Sequence, residues 1–438
     1  MPCGVARPVS EHHGRPGLCL RAAHAAWGWR FEGALLLVSV VSLRAASGFG
    51  PGGPVLLAGA VALVFWRDPT LRQRVSTTLA HASIRRRFVR ALRACGVEGP
   101  FGFPTVGGAT RTPAGFRVVV RTPLGRHTGQ LETAAPFLAA ALRVREVRVV
   151  RHPADASLAT VHVVAKDPFA ATSLPWPWVD ALRTDLWRPV PLGLDEDANR
   201  VCVPLFEHNL LLGGEPGGGK SATLSLLVAA AALDPAVSLR LFDAKQVELA
   251  PWAPCADAFC GPEVGRAVEV LQAIRAEMDR RYETLLALGR RKVSRTDGFA
   301  LLVVAIDELA FFLRAGAREE RLGFAEGLRD LVARGRAAGV VVLAATQKPS
   351  HDVVPTAVRD LFSFRMALRC TTPEASDTVL GQGWASRGYS AATIDPSARG
   401  VGYLLAEAAV PVKCRSYYLD DAALGALVER AVTVRGAR

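Results

Sequence analysis

Gly214, Glu215, Pro216, Gly217, Gly218, Gly219, Lys220 and Ser221 follow the spacing G-x-x-x-x-G-K-[ST]. That spacing binds a polyphosphate. Glycines remove the Cβ atoms that would keep backbone N–H groups away from a phosphate, and a helix starting near Lys220 points its positive dipole end at the anion. Lys220 would reach the β- and γ-phosphates of ATP, and the Ser221 hydroxyl would take one coordination site of Mg²⁺. A second signal lies downstream in "LLVVAIDELA", where an apolar run delivers Asp307 and Glu308 together. Asp307 would hold Mg²⁺ through water, and Glu308 would orient and polarise an attacking water as a general base. The acid pair points to hydrolysis of ATP. The competing reading of the same two residues is a cap on the amino end of a helix.

Two further polar positions fit this chemistry. "VVVLAATQKPS" ends an apolar strand on Thr346 and Gln347, and a polar side chain at that tip would sense the γ-phosphate. Arg336, in "ARGRAAG", stands near a helix end and is a candidate arginine finger acting in trans on a neighbouring subunit's ATP. Arg334 is the alternative, and a solvated helix face is the bland reading of both.

These residues need a scaffold, and the pattern around them supplies one. From about residue 189 short apolar runs alternate with amphipathic helices. "HNLLLGG", "VSLRLFDA", "LLVVAIDELA", "VVVLAATQ" and "SFRMALRC" read as strands, and "KSATLSLLVAAAAL", "GRAVEVLQAIRAEMDRRYETLLAL" and "FAEGLRDLVARGRAAG" as helices. Strands without polar alternation indicate a mainly parallel sheet covered on both faces. The expected fold class is α/β, a RecA-like P-loop domain preceded by a small α+β domain and an amino-terminal transmembrane hairpin. In the small domain "GFRVVVRTP", "VREVRVVR" and "TVHVVAKDP" read as strands and "ETAAPFLAAALR" as a helix. "SLPWPWVDALR" reads as a linker or docking segment whose two tryptophans are packing anchors.

The hairpin is read from Gly33–Gly50 and Gly52–Trp66, two apolar stretches joined by a glycine-proline turn, each short of the roughly 20 residues of a full span. Trp27, Trp29 and Trp66 would sit at interface depth, and basic residues flank both outer sides, which puts both ends in the cytoplasm. The competing reading is a buried helical hairpin. "SIRRRFVRALRAC" follows as a basic helix with Ile84, Phe88, Val89 and Leu92 on one face, suited to anionic lipid, to DNA phosphates or to plain solvation. The expected divisions are 1–30 basic amino terminus, 31–67 hairpin, 68–95 juxtamembrane helix, 96–170 small domain, 171–188 linker, 189–419 ATPase and 420–438 carboxyl-terminal helix.

Composition bounds the partners. The 438 residues carry a formal net charge of +13, which favours nucleic acid or an anionic membrane surface, although an arginine-rich coding bias gives the same number. The eight cysteines form no CxxC pair and no zinc spacing with histidine, so no structural metal is expected.

The order of P-loop, "FDAKQVEL", "EMDRRY", "IDELA", "GRAAG" and "ATQKPS" resembles the FtsK/SpoIIIE family of DNA-pumping motors, and most of all the shorter Tra proteins of actinobacterial conjugative plasmids and integrated elements. Asp243, Lys245 and Glu248 match that family's D-x-K-x-x-E stretch, and Glu277, Met278, Arg281 and Tyr282 its long-helix signature. The resemblance covers about residues 189–419. It implies a homo-hexameric ring around double-stranded DNA, ATP between subunits, and a multi-pass anchor in the cell membrane with the motor in the cytoplasm. The expected function is an ATPase that translocates double-stranded DNA, in conjugal transfer. The alternative is a type VII secretion-like motor acting on polypeptides. Family members often end in a winged-helix DNA-reading domain, and only enough chain for one helix follows Leu419.

Overall fold

The computed structural model describes residues 66–97, 102–171, 173–347, 356–407 and 409–436, with Arg44 and Gly48. The expected hairpin at 31–67 lies almost entirely outside the described residues. Among the described residues no helix is long and apolar enough to cross a membrane. The chain forms two compact units, divided between Lys166 and Asp167.

In the first unit, helix α1 (Pro69–Ala94) and helix α2 (Gly129–Leu142) accompany strands β1 (Thr105–Thr112), β2 (Gly115–Arg121), β3 (Glu146–His152) and β4 (Asp155–Val164). The strands form an antiparallel sheet in the order β1-β2-β4-β3. Alternation dictates the packing: Phe116, Val118 and Val120 of β2 and Ala159, Val161 and Val163 of β4 are buried against Phe88 and Leu92 of α1 and Leu131 and Leu138 of α2. The apolar face of α1 is therefore spent on this core. Ile84 and Val89 border it, which removes them from lipid or DNA.

The second unit contains one ten-stranded sheet, ordered β6-β5-β14-β13-β12-β7-β11-β10-β8-β9. Its strands are β5 (Val190–Asp195), β6 (Arg200–Val203), β7 (Leu210–Gly213), β8 (Val237–Phe242), β9 (Ala258–Cys260), β10 (Leu301–Ile306), β11 (Val340–Thr346), β12 (Phe364–Leu368), β13 (Val401–Ala406) and β14 (Val412–Ser416). Strands β12, β7, β11, β10, β8 and β9 run parallel, whereas β13, β14, β5 and β6 extend the sheet antiparallel. The expected mainly parallel sheet is thus present, with an antiparallel wing that the apolar-run reading misses. All six residues of β10 are buried: Leu301, Val303 and Ala305 face one core, Leu302, Val304 and Ile306 the other. Each such fully buried branched side chain contributes about 1.5–3 kcal/mol.

Helix α3 (Lys220–Ala232) covers the first face. Helices α4 (Val264–Ala287), α5 (Leu309–Arg314) and α6 (Arg318–Arg334) cover the second. Two short helices, α7 (Thr356–Arg359) and α8 (Pro373–Leu380), and a terminal helix, α9 (Asp421–Gly436), complete the unit. The stretch expected as a linker is part of this body. Trp176 is buried in the first core and its indole N–H donates to the Pro191 carbonyl, and Leu186 is buried beside it. Helix α9 is likewise docked: Leu427 and Ala431 enter the core, and Arg430 donates to the carbonyls of Val179 and Ala181.

Candidate nucleotide site

Strands β7, β11 and β10 are neighbours and parallel, so the residues that follow them share one edge of the sheet. Gly214, Asp307 and Gln347 come directly after those strands, at the carboxyl edge where ligands bind in sheets of this kind. The edge is sharp because the strands stop abruptly. The expected strand through Ala310 ends at Ile306, and Glu308 caps α5 by accepting from the Ala310 N–H at 3.3 Å. The capping alternative is therefore realised for Glu308, and the cap fixes its backbone where its carboxylate also meets β11.

The loop from Gly214 to Gly219 is a closed cradle. Gly219 has φ +103°, and a Cβ there would lie 2.7 Å from the Gly400 nitrogen. Only glycine fits that turn and that approach. Gly218 donates to the Glu215 carbonyl at 3.1 Å and accepts from the Gly400 N–H at 3.0 Å. The rest of the loop is tied to the end of β12: Glu215 N–H donates to the Arg369 carbonyl at 2.9 Å, the Glu215 carboxylate accepts from the Thr371 N–H at 3.1 Å, and Pro216 O accepts from Arg369 Nη2 at 3.1 Å. Gly217 opens to unobstructed space at φ +76°. Lys220 is 5% exposed, and its Nζ donates to the Glu215 carbonyl at 2.7 Å. Burial lowers its pKa, and the carboxylates of Glu308 and Asp307 act against that shift.

Ser221 Oγ donates to Asp307 Oδ1 at 3.3 Å, across 86 residues of sequence. Asp307 is 3% exposed, and its carboxyl is pushed up to about 6, first by burial and then by Asp243 and Glu248. A half-buried hydroxyl beside a buried carboxylate is a pair of hard oxygen donors, and with phosphate oxygens it suits a divalent cation such as Mg²⁺. The Glu308 carboxylate accepts from Thr346 Oγ1 at 3.0 Å and from the Gln347 N–H at 3.1 Å, so the tip of β11 orients the candidate base. Gln347 is thus beside the site, and the contact it makes with Glu308 is through its backbone N–H. Thr346, named in the sequence only as the neighbour of Gln347, has the direct bond.

Several participants were visible in the sequence only through the family motif or not at all. Asp243 is completely buried and accepts from four backbone N–H groups, those of Lys245, Gln246, Val247 and Leu249, at 2.8–3.1 Å. It shapes the loop that brings Lys245 and Glu248 electrostatically close to Asp307. Arg369 and Gly400 brace the cradle from β12 and the turn before β13, with no local signal.

Arg336 is elsewhere. It lies in the 3-10 turn Gly335–Ala338 before β11, at the amino end of the sheet, a strand length of about 20 Å from Thr346. The long-helix signature explains its seat. Arg281 donates to the Ala338 carbonyl at 2.9 Å, and the Tyr282 hydroxyl donates to the Arg334 carbonyl. Arg334 itself is bound by Asp330 and Asp279, which raise its pKa, whereas Arg336 has one ion pair, to Glu407 at 3.8 Å.

A glycine cradle, a buried lysine, a hydroxyl–acid pair and an oriented second acid on a central parallel sheet define a P-loop ATPase domain. Residues 182–387, all within the second unit, match the FtsK/SpoIIIE family. The DNA translocase FtsK of Staphylococcus aureus is 27% identical over 219 residues, 45% of this chain and 27% of that protein. The chain therefore spans about a quarter of the length of that relative. In fold it is similar to the pCW3 conjugation coupling protein TcpA in its monomer form with ATPγS, at TM-score 0.52 and 17% identity over 79% of this chain and 98% of that one. ATPases 2 and 3 of EssC from Geobacillus thermodenitrificans give TM-score 0.51 and 17% identity, covering 61% of this chain and 52% of that one.

Proposed function

We propose that the chain is an ATPase that drives double-stranded DNA along itself from a position held at the cell membrane, in the service of conjugal DNA transfer. The observation that supports it most is the pair of bonds at the mouth of the glycine cradle, Ser221 to Asp307 and Thr346 to Glu308, within a stretch matching a family whose matched relatives are named DNA translocase. The conjugal setting rests on the resemblance to the Tra proteins; the likeness to the coupling protein concerns the fold alone.

The chemistry follows from the residues. Backbone N–H groups of the cradle and Lys220 would hold the β- and γ-phosphates of ATP. Ser221 and Asp307 would hold Mg²⁺, which when bound neutralises charge on the phosphate oxygens. Glu308, fixed by Thr346 and the Gln347 N–H, would accept a proton from the water aimed at the γ-phosphate. Movement of γ-phosphate contacts would pass through the same two bonds into β11. In a homo-hexameric ring Arg336 would act on the neighbouring subunit's ATP. It is the better placed of the two arginines, because Asp330 and Asp279 already hold Arg334. The apolar pair between Gly33 and Trp66 would be the multi-pass anchor, with the motor in the cytoplasm.

The test is ATP turnover of the 438-residue chain with and without linear duplex DNA. Stimulation of several-fold or more by duplex is expected. Equal turnover whatever nucleic acid is supplied would overturn the reading and turn attention to the polypeptide-moving alternative.

A further inference from the structure

Charge is divided unevenly along the chain. Residues 1–166 hold 22 Lys and Arg against 7 Asp and Glu, while residues 167–438 hold 31 against 33. The unit with the P-loop is thus faintly acidic, and the whole positive excess of +13 lies outside it. A motor that follows phosphates needs basic contacts, and the net excess of basic residues is in the first unit.

The small unit presents some of them in a regular array. Its two helices cover one face of the four-stranded sheet. Alternation turns Arg117 and Arg121 of β2, His162 of β4 and Arg148 of β3 to the opposite face. Arg117 and Arg148 are both in register with His162, so these three form one row across β2, β4 and β3. Two strand spacings separate the arginines, about 10 Å. Arg121 stands four residues further along β2, bonded to Asp155 at 3.1 Å, and Glu146 lies 3.9 Å from Arg148 at the far corner.

We propose that this sheet face, on which Arg117 and Arg121 are exposed and Arg148 is half-buried, grips the sugar–phosphate backbone of duplex DNA. The proposal rests on the translocase reading and adds the place of contact. Guanidinium groups pair with phosphates through two parallel N–H bonds, and a row anchored on strands holds them at fixed spacing. Such contacts give affinity without sequence information, which suits a motor that must pass over any sequence. A lipid surface fits less well. Binding there draws on Trp, Phe or Leu side chains that enter the acyl boundary, and this face offers one such side chain, the half-buried Leu158 opposite Arg121, beside the short Val119 and Val150.

The experiment measures binding of the 438-residue chain to a fluorescent linear duplex of scrambled sequence over a range of salt, and in parallel to phosphatidylserine-containing vesicles. The double change R117A/R148A is expected to weaken duplex binding about tenfold near 100 mM salt and to flatten the slope of log K against log salt by about 2. R117K/R148K is expected to keep the slope, since the charges remain. An alanine pair with the parent's thermal midpoint, affinity and slope would overturn the inference and leave the translocase reading standing. Loss of vesicle binding with duplex binding intact would assign the face to lipid and also overturn it. A parent chain that bound no duplex would remove the translocase reading and this inference with it.

Discussion

The two ends of the ten-stranded sheet use charge in opposite ways. At the carboxyl end Lys220, Asp243 and Asp307 are almost fully buried, and burial, with the carboxylates of Asp243 and Glu248 next, pushes the Asp307 carboxyl up to about 6. At the amino end the side chains of Arg334 and Arg336 are 44% and 53% exposed and rest in surface ion pairs. A buried charge is held against its own preference for water, and that is what lets it act on a phosphate. An exposed charge costs little and can exchange partners, which suits a residue that must reach another molecule.

The contrast predicts a ranking. The largest effect is expected from Arg336→Ala, which should lower ATP turnover of the assembled protein about 1,000-fold while leaving its thermal midpoint in place. Phosphate-release kinetics beside a melting curve would check it, and unaltered turnover would leave the amino end with no chemical part. Glu308→Gln should follow, with turnover down about 100- to 1,000-fold and nucleotide still bound, read by fluorescent-ATP titration. A loss of nucleotide binding instead would mean that Glu308 only caps α5.

Asp307→Asn sharpens the contrast through stability. The folded carboxyl is pushed up to about 6, so above that pH the protein holds an ionised group at a cost, and well below the ordinary carboxylate range it does not. Removing the charge should therefore stabilise the nucleotide-free protein at pH 7.5 by about 3 kcal/mol, and the gain should fade as pH falls through 6 toward 4. Denaturant melts at both pH values decide it; a loss of stability at pH 7.5 would contradict the picture of a crowded acid. The smallest effect belongs to Arg334→Ala. Its pairs with Asp330 and Asp279 are partly exposed, so stability should fall by no more than about 1 kcal/mol, and turnover should hold within a few-fold.

Legibility differed just as sharply between the two halves of the sheet. Strands β7, β10 and β11 are almost unbroken apolar runs because both faces are covered, and β8 and β12 keep most of that signal around Ser238, Arg240 and Arg365. The antiparallel wing lacks the signal. Strand β14 carries Lys413 and Arg415, which read as surface residues. Yet Arg415 is buried, and its guanidinium donates to the carbonyls of Arg399, Phe169 and Ala171. Those acceptors lie 16 to 246 residues away, beyond any local pattern. Which core the segment at 171–188 docks on is hidden for a similar reason. Proline and tryptophan in "SLPWPWVDALR" suggest an irregular segment, and the segment is irregular, but Trp176 needs a core that strands β5 and β14 help to build.

The amino-acid order alone determined the cradle, the acid pair and the alternation of strands with helices, because each depends on neighbours a few residues apart: glycine's freedom, a dipole at a helix start, an apolar period. It could not determine which residues finish the site. That Thr346 orients Glu308, that Gly400 and Arg369 brace the loop, and that Asp307 is crowded by Asp243 and Glu248 all follow from strands brought side by side across long stretches of chain. Burial and proximity set those properties, and both come into being only when the sheet closes.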